Sequence, residues 1–217
     1  AGALYVLNEA GATLIGGHTS EGPELALGFS VNGLADYDTI LRKGGMVAGD
    51  VLIITKPLGT GTLFAADMQQ KAKGRWIEGA LECMIQSNRE AAKCLFKHGA
   101  NACTDITGFG LLGHLVEMTK ASGVDIQLKL DALPVLDGAQ ETIGLGILSS
   151  LQPANLRLRR AVRNQSEARK HERYPLIFDP QTSGGLLASL PADQAEPCLE
   201  ILHGLGYTKA TIVGNVA

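Results

Sequence analysis

Apolar and polar positions along the chain follow two rhythms, one helical and one alternating. Residues 2 to 12 read as the end of a helix, with Gly11 suited to the left-handed turn that closes one. Leu25, Leu27, Phe29 and Val31 alternate with small or polar residues, which predicts a half-buried strand. "LRKGGMVAGD" is a Gly-rich break and a candidate domain boundary. The apolar run in "DVLIITKPLGTG" predicts a buried strand and a turn, and "TLFAADMQQKAK" a helix. Across 76 to 98, Ile77, Leu81, Met84, Ile85, Ala92, Leu95 and Phe96 share a helical face with Asn88, whose amide should meet a backbone partner. Later segments predict a strand near Asp125 to Leu130, then one or two helices up to Arg163. "YPLIFDPQTSGGLLASLP" reads as two strands around a Gly-rich turn. A helix near Gln194 to Leu205 and a strand near Thr211 to Val216 follow. This alternation predicts an α/β (α+β layered) fold with helices packed on a mixed sheet.

Against this pattern, one stretch stands out: "ACTDITGFGLLGHLVEM", where Asp105 ends a strand and precedes a helix starting near Gly110. A carboxylate there can cap free N–H groups, but five residues is too far ahead of the helix for a simple cap. The alternative is a Mg²⁺ ligand, since magnesium takes one or two carboxylates plus phosphate oxygens. No DxD partner lies nearby. Three loops, "GGHTSEG", "TDITGFG" and "DPQTSGG", combine glycines with hydroxyl side chains. Each alone is an ordinary turn, but three together suit the oxygens of an anion. None matches the P-loop or Rossmann spacing.

Composition narrows the classes. The 217 residues are 45% hydrophobic and 19% charged, with net charge −3, so no general attraction to nucleic acid is expected. No apolar run reaches membrane-span length. Cys83, Cys94, Cys103 and Cys198 form no CxxC pair, and their spacing fits neither a zinc site nor a disulfide framework. Reduced thiols in a cytoplasm are expected. The start has no basic leader and no Met, which reads as a fragment.

"ACTDITGFGLLGHLVEM", "GGHTSEGPEL" and "DPQTSGGLL" in this order closely resemble the selenophosphate synthetases (selenide, water dikinases) of the aminoimidazole ribonucleotide (AIR) synthetase superfamily. The resemblance runs through the whole chain. It implies an ATP-dependent enzyme that makes selenophosphate, AMP and phosphate from selenide, ATP and water. It also implies Mg²⁺, a two-domain fold and a homodimer formed through the N-terminal domain. By the same resemblance, Asp105 binds Mg²⁺, and Gly17, His18 and Thr19 contact nucleotide. The family's reactive Cys or selenocysteine, its Lys and its further metal-binding Asp residues have no match here. No catalytic residue is therefore assigned within the chain. Residues 1–45 are expected to be a remnant of the N-terminal domain and 46–217 a complete C-terminal domain, inactive in isolation. The rivals are another ATP-using superfamily member, of AIR synthetase or thiamine-monophosphate kinase type, and a non-catalytic assembly domain.

Other residues carry plainer expectations. His114 should be structural or exposed, and the cysteines should be core. Lys56 is a candidate phosphate donor. The seven Arg and Lys between 157 and 173 should form a solvated face.

Overall fold

The structure, a computed structural model, describes residues 2–24 and 26–217. It divides into two units, residues 1–35 and 36–217. In the first, helix α1 (Gly2–Ala10) ends at Gly11, whose φ of +67° is the left-handed turn expected of it. Among the described residues, the rest of that unit has no regular structure, and none of the unit is buried. The expected strand at 25–31 is absent among the described residues, and Leu25 lies outside them. Alternation makes a strand only where a neighbouring strand takes its backbone groups, and here Leu27 and Val31 are more than 80% exposed.

The second unit is a five-stranded sheet with helices on both faces. Its strands are β1 (Val51–Ile54), β2 (Ala102–Asp105), β3 (Ile126–Leu128), β4 (Leu186–Leu190) and β5 (Thr211–Val216). Helices are α2 (Thr60–Met68), α3 (Gly74–Ile85), α4 (Arg89–Lys97), α5 (Gly110–Ser122), α6 (Ala139–Gly144), α7 (Gln152–Asn155), α8 (Gln165–Ala168) and α9 (Ala192–Gly204). The strand order is β2-β4-β1-β5-β3. Every pairing is antiparallel, which corrects the expectation of a mixed sheet. The first three strands run in one direction, returned by helices. The last two run the opposite way and fill the gaps between them.

Successive strand residues face opposite layers. Leu52, Ile54, Ala102 and Leu187 pack on Leu111, Leu115 and Met118 of α5. Ile53, Cys103, Ala188 and Leu190 pack on Ala91, Cys94 and Leu95 of α4 and on Cys198, Leu199 and Leu202 of α9. Burial on both faces explains why β1 and β4 read as continuous apolar runs. A smaller cluster of Leu63, Trp76, Ala80 and Ala139 joins α2, α3 and α6 beside the sheet.

Two segments depart from expectation. The helical face at 76–98 belongs to two helices broken at 86–88, and α3 buries Trp76 and Ala80 while Ile85 is 81% exposed. Asn88 does find a backbone partner, donating to the Gly184 carbonyl at 2.9 Å. The first half of "YPLIFDPQTSGGLLASLP" is a 3₁₀ turn, Tyr174–Phe178, where Pro175 takes an early helical position that needs no N–H donor.

Candidate functional site

β2 ends at Asp105 and α5 begins at Gly110, as the pattern predicts. Three separate elements hold the turn between them. The Ile106 N–H donates to the Gly185 carbonyl at 2.9 Å. His114 of α5 accepts the Thr107 N–H through Nε2 at 3.1 Å. Asn155, at the end of α7, donates to the carbonyls of Gly108 at 2.9 Å and Phe178 at 3.0 Å. Gly110 has φ of +69°, and a side chain there would meet the Phe178 backbone at 2.9 Å. This packing presses the turn against the residues leading into "DPQTSGG".

The Asp105 side chain itself is exposed, and no described residue gives it a hydrogen bond or ion pair. A carboxylate held by its backbone and left without a protein partner is available to a ligand. Its hard oxygens suit Mg²⁺ better than a soft metal. Among the described residues, no pair of further Asp, Glu, His or Cys ligands gathers around it. The fit is one protein ligand, with phosphate oxygens and water completing the set.

Its neighbours are not reactive groups. Burial pushes the Cys103 thiol up to about 12, and the Asp105 charge pushes the same way, so this thiol stays protonated. His114 is buried, and desolvation lowers its pKa against the opposing pull of Asp105 and Glu117. With Nε2 accepting from Thr107, the proton of the neutral ring sits on Nδ1, 3.7 Å from Glu117. The histidine is structural and buried. Sequence reasoning missed its brace and that of Asn155.

The "DPQTSGG" loop is a lock on the N-terminus of α2. Gln181 Oε1 accepts the N–H groups of Gly59 at 3.0 Å and Thr60 at 3.2 Å. Asp179 Oδ2 accepts the Gly61 N–H at 3.1 Å. These are N–H groups that a helix start leaves without partners. Thr60 Oγ1 accepts in return from the Thr182 N–H at 2.9 Å. A side chain at Gly61 would strike the Pro180 carbonyl at 2.5 Å, so the glycine of "PLGTG" permits this approach. The loop meets the Asp105 turn as well, with Gln181 N–H donating to the Thr107 carbonyl at 3.0 Å. Its best polar groups are thus spent inside the fold. Of the three anion-type loops, "TDITGFG" and "DPQTSGG" meet. "GGHTSEG" belongs to the first unit, where Gly17, His18 and Thr19 are exposed in the irregular segment.

Burial raises the Asp179 carboxyl to about 7, against the lowering pull of Gln181 and the Gly61 and Thr62 N–H groups. The unfolded chain would ionise it near the ordinary carboxylate value. Between that value and about 7 the folded protein holds the extra proton, so stability falls as pH rises through this window. Asp179→Asn keeps the oxygen that accepts from Gly61 and removes the titration. Its stability relative to wild type, measured by urea unfolding, should improve by roughly 2 kcal/mol between pH 5 and pH 8. An unchanged difference across that range refutes the assignment.

Lys56 is corrected from a phosphate donor to a buried tie. It is 2% exposed, and its Nζ donates to the carbonyls of Gln86 at 2.5 Å and Ser183 at 3.2 Å. Burial lowers its pKa, partly offset by Cys83. A cavity of about 350 Å³ beside it is lined by Pro57, Trp76, Cys83, Asp137 and Tyr207 among others, and not by Asp105. The basic stretch is a solvated face, as expected: Arg163 pairs with Asp125 and Lys170 with Glu167, all exposed. No helix among the described residues is long and apolar enough to cross a membrane.

Comparison with known proteins sets this geometry in a lineage. The chain is 39% identical over 210 residues to a selenide, water dikinase of Caldanaerobacter subterraneus subsp. tengcongensis, covering 97% of this chain and 61% of the relative. It is 42% identical over 193 residues to that of Trichlorobacter lovleyi, covering 88% and 55%. The chain thus spans about three fifths of the length of these curated relatives. The fold resembles a hydrogenase maturation protein HypE solved in complex with ATP, with TM-score 0.58 and 19% identity over 82% of this chain and 45% of that one. Residues 47–217 match the family model described as AIR synthase related protein, C-terminal domain. By that match over most of its length, the chain belongs to the AIR synthase related family.

Proposed function

We propose that this chain is the C-terminal part of a selenide, water dikinase, which converts selenide, ATP and water to selenophosphate, AMP and phosphate. One observation carries the reading. In a chain 39% identical to a named dikinase over nearly its whole length, the Asp105 carboxylate has no hydrogen bond or ion pair among the described residues and stands on a turn that three elements brace. A bound Mg²⁺ would offset the negative charge of the triphosphate and its transition state. Asp105 contributes one ligand to that ion, and its braced turn fixes where the ligand stands. Gly17, His18 and Thr19 line the nucleotide phosphates. The groups that deliver selenide to the γ-phosphate lie outside these 217 residues.

Residues 1–45 are read as a remnant of the N-terminal domain and 46–217 as the C-terminal domain. The exposed Leu27, Phe29 and Val31 support a missing partner surface for that remnant. The intact enzyme is a homodimer. Four free cysteines support a reducing cytoplasm.

The test is an anaerobic assay of the full-length protein with Mg²⁺ and ATP, with and without selenide. AMP and phosphate should form only when selenide is present. Selenide-independent turnover to ADP would point to a different phosphotransferase of the same superfamily. Absence of Mg²⁺-dependent nucleotide binding would point to an assembly domain.

A further inference from the structure

On the sheet face opposite α5, the fold gathers two thiols and an imidazole that no part of the proposed reaction uses. Cys94 and His98 are one helical turn apart at the end of α4, and Cys198 projects from α9, which packs against it. The two sulfurs are 3.8 Å apart, and Cys94 Sγ is 3.7 Å from His98 Nδ1. All three ligand atoms lie within 4.8 Å of one another. In a tetrahedral zinc site with its usual bond lengths, two sulfurs stand about 3.8 Å apart, and sulfur and nitrogen about 3.6 Å. Two of the three edges therefore already stand at coordination distance. The cysteine spacing concealed this, because 104 residues separate the two thiols.

We propose that Cys94, His98 and Cys198 form a site for one soft or borderline divalent cation of the zinc type, which clips α4 to α9. Ligand chemistry selects the ion, since two sulfurs and an imidazole suit zinc or cobalt and disfavour magnesium. Charge favours it too. Cys94 and Cys198 are buried, and two thiolates with a neutral imidazole cancel the charge of a divalent ion, leaving a neutral buried complex. Binding releases both thiol protons, as metal coordination of cysteine does. His98 is half-buried, so the site opens to solvent on its side, where water takes the fourth position. His98 Nδ1 lies 2.8 Å from the Cys94 carbonyl and donates to it. Coordination through Nδ1 moves that proton to Nε2 and exchanges the hydrogen bond for a metal bond.

The experiment titrates Co²⁺ into the reduced full chain under anaerobic conditions. One equivalent should produce the thiolate-to-cobalt charge-transfer band and the intense visible bands of a tetrahedral ion, and Zn²⁺ should displace both. Cys94→Ser and Cys198→Ser should abolish the charge-transfer band, whereas Cys83→Ser should retain it. His98→Ala replaces a half-exposed side chain and leaves the packed thiols in place. It should fold as wild type does and weaken Co²⁺ by more than about a hundredfold, beyond the roughly 10–100-fold that loss of an outer-sphere partner costs. Zn²⁺ should also raise the melting temperature of wild type and not of Cys94→Ser. Absence of the band in wild type overturns the proposal. So does a band that survives in Cys94→Ser, or wild-type affinity in His98→Ala.

Discussion

Replacing Asp105 by Asn in the full-length protein should lower selenide-dependent AMP formation at least about a hundredfold, the scale on which enzymes lose rate when one preorganised electrostatic contact is removed. The substitution preserves shape and removes one negative charge. Its structural cost should be small. The carboxylate is exposed and receives no hydrogen bond from any described residue, so no described hydrogen bond is lost with its charge. Exposed substitutions of this kind change stability by no more than about 0.5 kcal/mol, which is a shift of about 2 °C or less in melting temperature for a chain of this size. Activity and stability therefore separate cleanly. Excess Mg²⁺ should recover part of the loss, because a weakened ion site fills at higher concentration. The 217-residue chain by itself should form no AMP above background, since a single metal ligand cannot position a triphosphate. Near wild-type turnover by Asp105→Asn, with unaltered Mg²⁺ dependence, would remove Asp105 from the site.

The strand-to-helix passage at Asp105 was legible because both flanking patterns are strong: an apolar strand before it and helical spacing after it. What braces the passage was not. His114 acts seven residues back along the chain, Asn155 acts from α7, and Gly185 acts across the sheet. No local period encodes a partner at that separation. The break between α3 and α4 was hidden for a different reason, because the apolar rhythm continues through 86–88 while the backbone does not. At 174–178 an apolar run imitated a strand, and only the early position of Pro175 hinted at a helical turn. The alternation at 25–31 misled in the opposite sense, since pattern describes a face and says nothing of whether a neighbour covers it. "DPQTSGG" shows the limit most clearly. Its glycines and hydroxyls suggested ligand contacts, yet Gln181 Oε1 and Asp179 Oδ2 are spent on a helix start about 120 residues earlier.

That lock leads to the second large effect, at Gly184. A methyl group built there would lie 2.1 Å from the Ile106 carbonyl oxygen and 3.0 Å from Gln181 Cβ. The backbone of Gly184 is not in the left-handed region, so an alanine meets no conformational penalty and the cost is purely steric. The atom it strikes is backbone and cannot swing aside like a side chain. Ile106 is anchored through its own N–H to Gly185, and the Gly184 carbonyl is anchored by Asn88. Relief requires β4 and the end of β2 to separate, which strains the pairing of Asp105 with Leu186. Gly184→Ala should therefore destabilise by about 3 kcal/mol, the upper part of the range for overpacking, and lower the melting temperature by on the order of 10 °C. Because Asp105 directly precedes Ile106, the same variant should lose Mg²⁺-dependent activity in the full-length protein even at temperatures where it remains folded. Gly74→Ala is the matched control, since a methyl there meets nothing within 4 Å; it should be neutral or stabilise by up to about 1 kcal/mol. Urea unfolding of the two variants beside wild type decides the matter. Equal midpoints for Gly184→Ala and Gly74→Ala would mean that the turn after β2 yields freely, and the rigid placement of Asp105 would fall with it.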